Sequence, residues 1–180
     1  MAPSNDSTLL KYRIRTHRPG DMGTIVSYHG SQYAQEYGWD TSCESSAARL
    51  VADFLDNYDP NLERVFIAES VETSQFLGCV AIFKHQKEAN TAQLRLFLVK
   101  PAARGIGLGA RLVDECIAFA RDRGYKKIVL WTVSVLEGAR RLYRRAGFQL
   151  VSTDEERDLW GVKLTPEIWE LALSSTESQS

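Results

Sequence analysis

Arg104-Gly105-Ile106-Gly107-Leu108-Gly109-Ala110 sets three glycines on alternate positions between two patterned stretches. Before it, residues 94–99 alternate as a strand does, and Pro101 stops them. After it comes a long repeat with apolar residues at helical spacing. A helix N-terminus leaves about four backbone N–H groups without partners, and glycines remove the side chains that would cover them. Those donors and the positive end of the helix dipole suit a phosphate group. The stretch predicts a grip on a phosphorylated cofactor.

Glycine-rich turns of this kind serve several ligands. A dinucleotide fingerprint needs G-x-G-x-x-G early in a βαβ unit, with an acidic residue about 20 positions on. Here the spacing is G-x-G-x-G, late in the chain. A nucleotide P-loop needs Lys and Ser or Thr after its glycines, which Gly109-Ala110-Arg111 does not supply. The structural alternative is that the glycines only permit close packing of helix on sheet.

The elements that must position this turn are legible from periodicity. Residues 12–15 read as a short strand, and Pro19-Gly20-Asp21 opens a helix carrying Met22, Ile25, Val26 and His29. An aromatic segment, residues 30–40, follows with Tyr33, Tyr37 and Trp39 around Glu36. Thr41 or Ser42 can cap a second helix with Ala47, Leu50, Val51, Phe54 and Leu55 on one face. Residues 65–69, 76–83 and 93–99 read as strands, with Leu94, Leu96 and Leu98 on one face and Arg95, Phe97 and Val99 on the other. The helix after the glycines buries Leu108, Leu112, Val113, Cys116, Ile117 and Ala120 and ends at Gly124. Residues 127–133 form a strand, Ser134-Val135-Leu136-Glu137 has capping-box spacing before a helix with Tyr143, and residues 148–152 and 167–173 form strands. The order implies an α/β (α+β) architecture with a mixed sheet. The expected organisation is one domain over residues 10–174, with flexible ends at 1–9 and 175–180.

Composition narrows the function. The chain has 180 residues, 44% hydrophobic and 25% charged, with a formal net charge of -1. That balance gives no electrostatic case for nucleic acid or an anionic membrane. No run approaches the roughly 20 apolar residues of a membrane helix, and the first ten residues lack a signal layout. Cys43, Cys79 and Cys116 read as small core residues, which fits a reducing, cytoplasmic setting. No metal-ligand spacing is present among the cysteines and histidines.

The run Val99-Lys100-Pro101-Ala102-Ala103-Arg104-Gly105-Ile106-Gly107-Leu108-Gly109-Ala110 resembles the acyl-CoA-binding motif of the GNAT family of N-acetyltransferases. Ala139-Arg140-Arg141-Leu142-Tyr143-Arg144-Arg145-Ala146-Gly147-Phe148 resembles that family's second signature, and the element order matches from residue 10 to 174. Gly20-Asp21, His29-Gly30, Tyr33, residues 36–40, Leu130-Trp131-Thr132 and Trp169-Glu170-Leu171 are similar to the acetyltransferase half of bacterial MarR–GNAT fusion proteins. The DNA-binding half has no counterpart, so DNA binding does not carry over.

The resemblance implies a GNAT-like fold, a mixed, largely antiparallel sheet with about four helices. It implies acetyl-CoA as co-substrate, no metal, and direct transfer to an amine in a ternary complex. Phe97, Leu98 and Val99 would lie along the pantetheine arm, with the Leu98 N–H on the thioester carbonyl, and Arg104, Gly105, Ile106, Gly107, Leu108, Gly109 and Ala110 would hold the pyrophosphate. Tyr143 would be the general acid, or else core. Glu36 would be the base or amine ligand, with His29 and Glu69 as alternatives, and Tyr33, Tyr37 and Trp39 would line the acceptor pocket. Trp131 and Leu136 stand where the family often has a glutamate and an asparagine, while Trp160 and Trp169 read as packing. A small-molecule amine is the expected acceptor; a protein lysine or N-terminus, or a non-catalytic acyl-CoA-binding module, are the alternatives. A homodimer is compatible with such domains.

Overall fold

A computed structural model describes residues 10–173. The ends expected to be flexible, 1–9 and 175–180, lie outside the described residues. Strand β1 (Tyr12–Thr16) leads into helices α1 (Asp21–Tyr37) and α2 (Thr41–Asn57). Strands β2 (Arg64–Ser70), β3 (Phe76–Lys84) and β4 (Thr91–Val99) follow. A 3-10 turn at Pro101–Ala103 then precedes helix α3 (Leu108–Asp122), strand β5 (Lys127–Val133) and helix α4 (Glu137–Arg145). The chain ends with β6 (Gln149–Thr153), a short hairpin of β7 (Arg157–Leu159) and β8 (Val162–Leu164), and β9 (Pro166–Ala172).

Seven strands form one sheet in the order β1-β2-β3-β4-β5-β9-β6. Every neighbouring pair is antiparallel except β4 with β5. Strands β2 and β3 are buried almost throughout because both faces are covered. On one face α3 buries Leu108, Leu112, Val113, Cys116, Ile117 and Ala120 against Val80, Ile82, Leu94 and Ile128. On the other, α1 and α2 bury Met22, Ile25, Val51 and Phe54 against Val65, Ile67, Cys79 and Leu98.

The periodic elements fall where the sequence pattern puts them, and five local features differ. Residues 30–37 continue α1 instead of forming a separate segment, and Gly38 ends the helix in the left-handed region at φ 70°. The cap of α2 is Asp40, whose carboxylate accepts from the Ser42 N–H at 2.9 Å. Helix α4 starts at Glu137 with no side-chain cap, so the Ser134 spacing is not a capping box. The β7–β8 hairpin lacks enough alternation to be read from sequence. In β4 the simple alternation breaks: Leu94 packs on the α3 face, but Leu96 and Leu98 pack on the α1–α2 face. The cause is a bulge. Register passes from Ala81↔Arg95 to Cys79↔Leu98, so two β4 residues oppose one on β3, and Leu96 takes φ 51°.

Among the described residues no helix is long and apolar enough to cross a membrane. Cys43, Cys79 and Cys116 are free and buried.

Candidate active site

The site begins where the sheet stops being continuous. Strands β4 and β5 pair only from Thr91↔Lys127 to Leu94↔Leu130. Beyond the bulge β4 runs on to Val99 and β5 to Val133 without pairing to each other, and the sheet splays between them. Helix α1 reaches into that opening. Tyr33 Oη donates to the Phe97 carbonyl at 3.3 Å, and Gln32 Nε2 donates to the Val99 carbonyl at 3.2 Å. The carbonyls of Phe97 and Val99 are thus turned away from β3, and strand geometry turns the N–H groups of the same residues with them.

The outer part of the opening is a cleft of about 680 Å³. Phe97, Leu98, Val99, Arg104, Gly105, Gly107, Gly109 and Ala110 line it, together with Arg141 and Arg145 of α4. Gly107 caps α3 at φ 83°, a conformation that favours glycine. A Cβ on Gly109 would lie 2.7 Å from Leu142 Cδ1, so this glycine serves the close approach of α3 to α4. Ile106 and Leu108, expected in the same grip, do not line the cleft: Leu108 is buried in the core and Ile106 packs against it. Orphan amides of the α3 N-terminus, left-handed glycines and three arginines form a cradle that fits a pyrophosphate.

The inner part is a separate cavity of about 170 Å³. Tyr33, Trp39, Trp131 and Trp160 give it aromatic walls, with ring centroids 4.6 Å apart for Tyr33–Trp39 and 4.4 Å for Trp39–Trp160. Trp160 is held there by the hairpin turn. Trp160 and Gly161 both have positive φ, as a two-residue hairpin turn of the primed type requires. The Asp40 N–H donates to the Trp160 carbonyl at 2.9 Å, and Trp160 Nε1 donates to Ser46 Oγ at 3.3 Å. An aromatic residue with left-handed backbone is unusual, and such strain concentrates at functional sites. Trp169, in contrast, is core, donating to the buried Glu167 carboxylate at 2.9 Å.

The two cavities share four wall residues: Tyr33, Phe97, Leu136 and Tyr143. Tyr143 is 4% exposed, and its hydroxyl bonds to no described residue. Burial pushes its phenol well above the ordinary range, so it remains a proton donor throughout the working pH range.

The candidate bases separate clearly in space. Glu36 does not line the inner cavity; its carboxylate receives two bonds from Arg104, at 2.7 and 2.9 Å. Glu69 lies between β2 and β1, bonded by Arg13 at 2.6 Å and Arg15 at 2.7 Å. His29 does line the inner cavity. Its Nδ1 is 2.9 Å from the Ile25 carbonyl, which can only accept, so Nδ1 carries the proton and Nε2 is a free acceptor. Burial pushes its pKa down to about 4. Tyr33 and Trp39 line the inner cavity as expected, whereas Tyr37 faces the outer cleft. Trp160, read from sequence as packing, and Arg95, read as a strand residue without a role, line the inner cavity, while Arg141 and Arg145, given no role from sequence, line the outer cleft. The two α4 arginines lie within the second signature and are legible as cations facing the phosphate turn.

A splayed parallel pair, a glycine turn at its mouth and a second cavity at its inner end define a site for group transfer from an acyl-CoA. The sequence profile of the Acetyltransferase (GNAT) family matches residues 31–148. An uncharacterized N-acetyltransferase of Schizosaccharomyces pombe is 34% identical over 118 residues, covering 66% of this chain and 71% of that protein. Other curated relatives are matched over only 28% to 50% of their own length. A GNAT-family acetyltransferase from Streptococcus pneumoniae superimposes with TM-score 0.70 at 16% identity, over 91% of this chain and 100% of that one. Spermidine N-acetyltransferase from Vibrio cholerae, in complex with CoA and spermine, superimposes with TM-score 0.69 at 18% identity, over 89% and 95%. The chain belongs to the GNAT family of acetyltransferases. It is an acetyl-CoA-dependent acyltransferase.

Proposed function

We propose that the protein acetylates the primary amine of a small molecule, by direct attack on acetyl-CoA in a ternary complex. The observation that carries this reading is the meeting of the two cavities at Tyr33, Phe97, Leu136 and Tyr143. A thioester extending down the outer cleft and an amine in the inner cavity come together there. The neutral amine attacks the thioester carbonyl; the C–N bond forms, the C–S bond breaks, the nitrogen gives up a proton and the CoA sulfur gains one.

This chain's groups have separable roles in that step. The Phe97 and Val99 N–H groups, rather than that of Leu98, face the opening and would stabilise the oxyanion, a contribution of several kcal/mol where such donors have been removed. The Tyr143 hydroxyl protonates the departing sulfur. His29 Nε2 accepts a hydrogen bond from the amine and orients its lone pair. Arg104, Arg141, Arg145 and the α3 amides hold the pyrophosphate. Glu36 orients Arg104 and takes no proton.

The small size of the inner cavity and the hairpin over it disfavour a protein lysine or N-terminus as acceptor. The unbonded Tyr143 hydroxyl at the junction favours catalysis over a non-catalytic acyl-CoA-binding module. We assign the activity to one domain, residues 10–174, resembling the acetyltransferase half of MarR–GNAT fusions, and place it in the cytoplasm on its free cysteines. Release of CoA thiol from acetyl-CoA with a panel of small amines tests the activity. Binding of acetyl-CoA without amine-dependent thiol release by any amine would refute it.

A further inference from the structure

We propose that the acceptor is a free amino acid with an aromatic or branched apolar side chain, its carboxylate held by Arg95. The inference rests on the transferase function proposed above, and names the acceptor of the same site.

Arg95 lies on β4 immediately before the bulge and lines the inner cavity. It is partly buried, and its guanidinium makes no hydrogen bond or ion pair with any described residue. Removal from water lowers its pKa, with no charged neighbour opposing that, yet an arginine stays protonated in proteins. A cation withdrawn from water without a counter-ion is costly, and a carboxylate can meet the guanidinium fork with two parallel bonds.

The rest of the wall agrees. No Asp or Glu lines the cavity, and His29 is neutral, so Arg95 is its one charged side chain. The Trp39 indole N–H, in the same wall, is buried without an acceptor. Aromatic walls alone would suit a cationic guest, but the guanidinium repels one, and a polyamine would need the carboxylates this wall lacks. A peptide N-terminus fails for a different reason: its first carboxyl is an amide and carries no charge.

Size sets the side chain. A cavity of about 150 Å³ holds benzene, so about 170 Å³ accommodates one ring or a branched chain. The wall sets the other end. Arg95 and Phe97 line the same cavity on either side of the bulge at Leu96. An amino acid with its carboxylate at Arg95 can then turn its nitrogen towards Phe97 and Tyr143, where the cavities join.

The test compares L-phenylalanine and L-leucine with phenethylamine, isopentylamine and L-phenylalaninamide. Each is measured by calorimetric binding to the CoA complex and by thiol release from acetyl-CoA. The wild-type protein is expected to favour the amino acids roughly 10- to 100-fold, the worth of a charge-assisted bond. Arg95→Met should bring that ratio to within about threefold of unity, and Arg95→Lys should restore part of it; acetyl-CoA affinity on the same samples reports that each variant is folded. Equal binding of phenylalanine, phenethylamine and phenylalaninamide to the wild type overturns the proposal, as does full discrimination in folded Arg95→Met. Amino-acid binding that depends on Arg95 without thiol release supports the carboxylate pocket and refutes the transferase function.

Discussion

Glu36 and Arg104 clasp each other through two bonds, tying the last turn of α1 to the turn that opens α3. The carboxylate expected to take a proton from the amine is instead committed to an arginine of the phosphate cradle. Such a partly exposed pair contributes about 1 kcal/mol or less to stability, so its significance is positional. Glu36→Gln is expected to leave kcat within about threefold of wild type and its pH profile unchanged. Arg104→Ala should raise KM for acetyl-CoA roughly 10- to 100-fold. A hundredfold loss of kcat in Glu36→Gln, with the acidic limb of the profile gone, would return the base role to Glu36.

Tyr143 is tested through its oxygen alone. Tyr143→Phe keeps the ring contacts with Phe97, Phe148 and Trp169, whose centroids lie 5.8 to 6.4 Å away. Acetyl-CoA affinity should be unchanged by calorimetry, while kcat falls by about two orders of magnitude or more, the typical worth of a positioned acid. Unchanged turnover would leave Tyr143 a core residue.

The hairpin tip can be loosened without touching the acyl-CoA cleft. A Cβ on Gly161 would fall 2.7 Å from Asp40 Oδ2, at a residue whose φ is 80°. Gly161→Ala should displace Trp160 from the inner cavity. Steady-state kinetics should show a higher KM for the acceptor with KM for acetyl-CoA unaltered; equal changes in both would mean that the hairpin supports the whole fold instead.

Stability should decline on acidification, for two reasons with the same sign. His29 has its pKa pushed down to about 4 by burial, so the unfolded chain binds a proton that the native one refuses; stability is full above about pH 6.5 and falls towards pH 4. Burial alone would raise the Glu69 carboxyl, but the guanidinium groups of Arg15 and Arg13 outweigh it and hold it below the usual carboxylate range. Its contribution is complete above the unfolded pKa of about 4.3 and is lost as pH falls through the folded value. Chemical denaturation at a series of pH values should therefore give a plateau near neutrality, and His29→Gln should flatten the slope between about pH 4 and 6.5.

The cofactor half of the site was legible in the sequence because it is local. Gly105, Gly107 and Gly109 lie within one turn of chain, and the helix after them declares itself by period. The acceptor half was not, because it is assembled from distant pieces. Arg95 read as the outward residue of an alternating strand; only a bulge at Leu96, set by pairing with β3, shows which residues it joins. Trp160 sits in a hairpin whose strands have three residues each, too short for a period, and it reaches the site by bonding to Asp40 and Ser46 far earlier in the chain. Glu36 read as a pocket carboxylate because its aromatic neighbours mark a wall, yet it faces Arg104 rather than the cavity that Tyr33 and Trp39 line.

The short β4–β5 ladder also couples folding to the co-substrate. Only four residue pairs stitch the β1–β4 half of the sheet to the half formed by β5, β9 and β6. On the proposed reading, an acyl-CoA arm in the gap would take the place of the missing backbone partners, as an added strand would. Acetyl-CoA at a hundred times its Kd should then raise the unfolding free energy by about 2.7 kcal/mol through mass action. In hydrogen exchange, the amides of residues 96–99 and 131–133 should gain the most protection. On that reading this chain's cleft is an unfinished sheet, to be closed by the molecule it consumes.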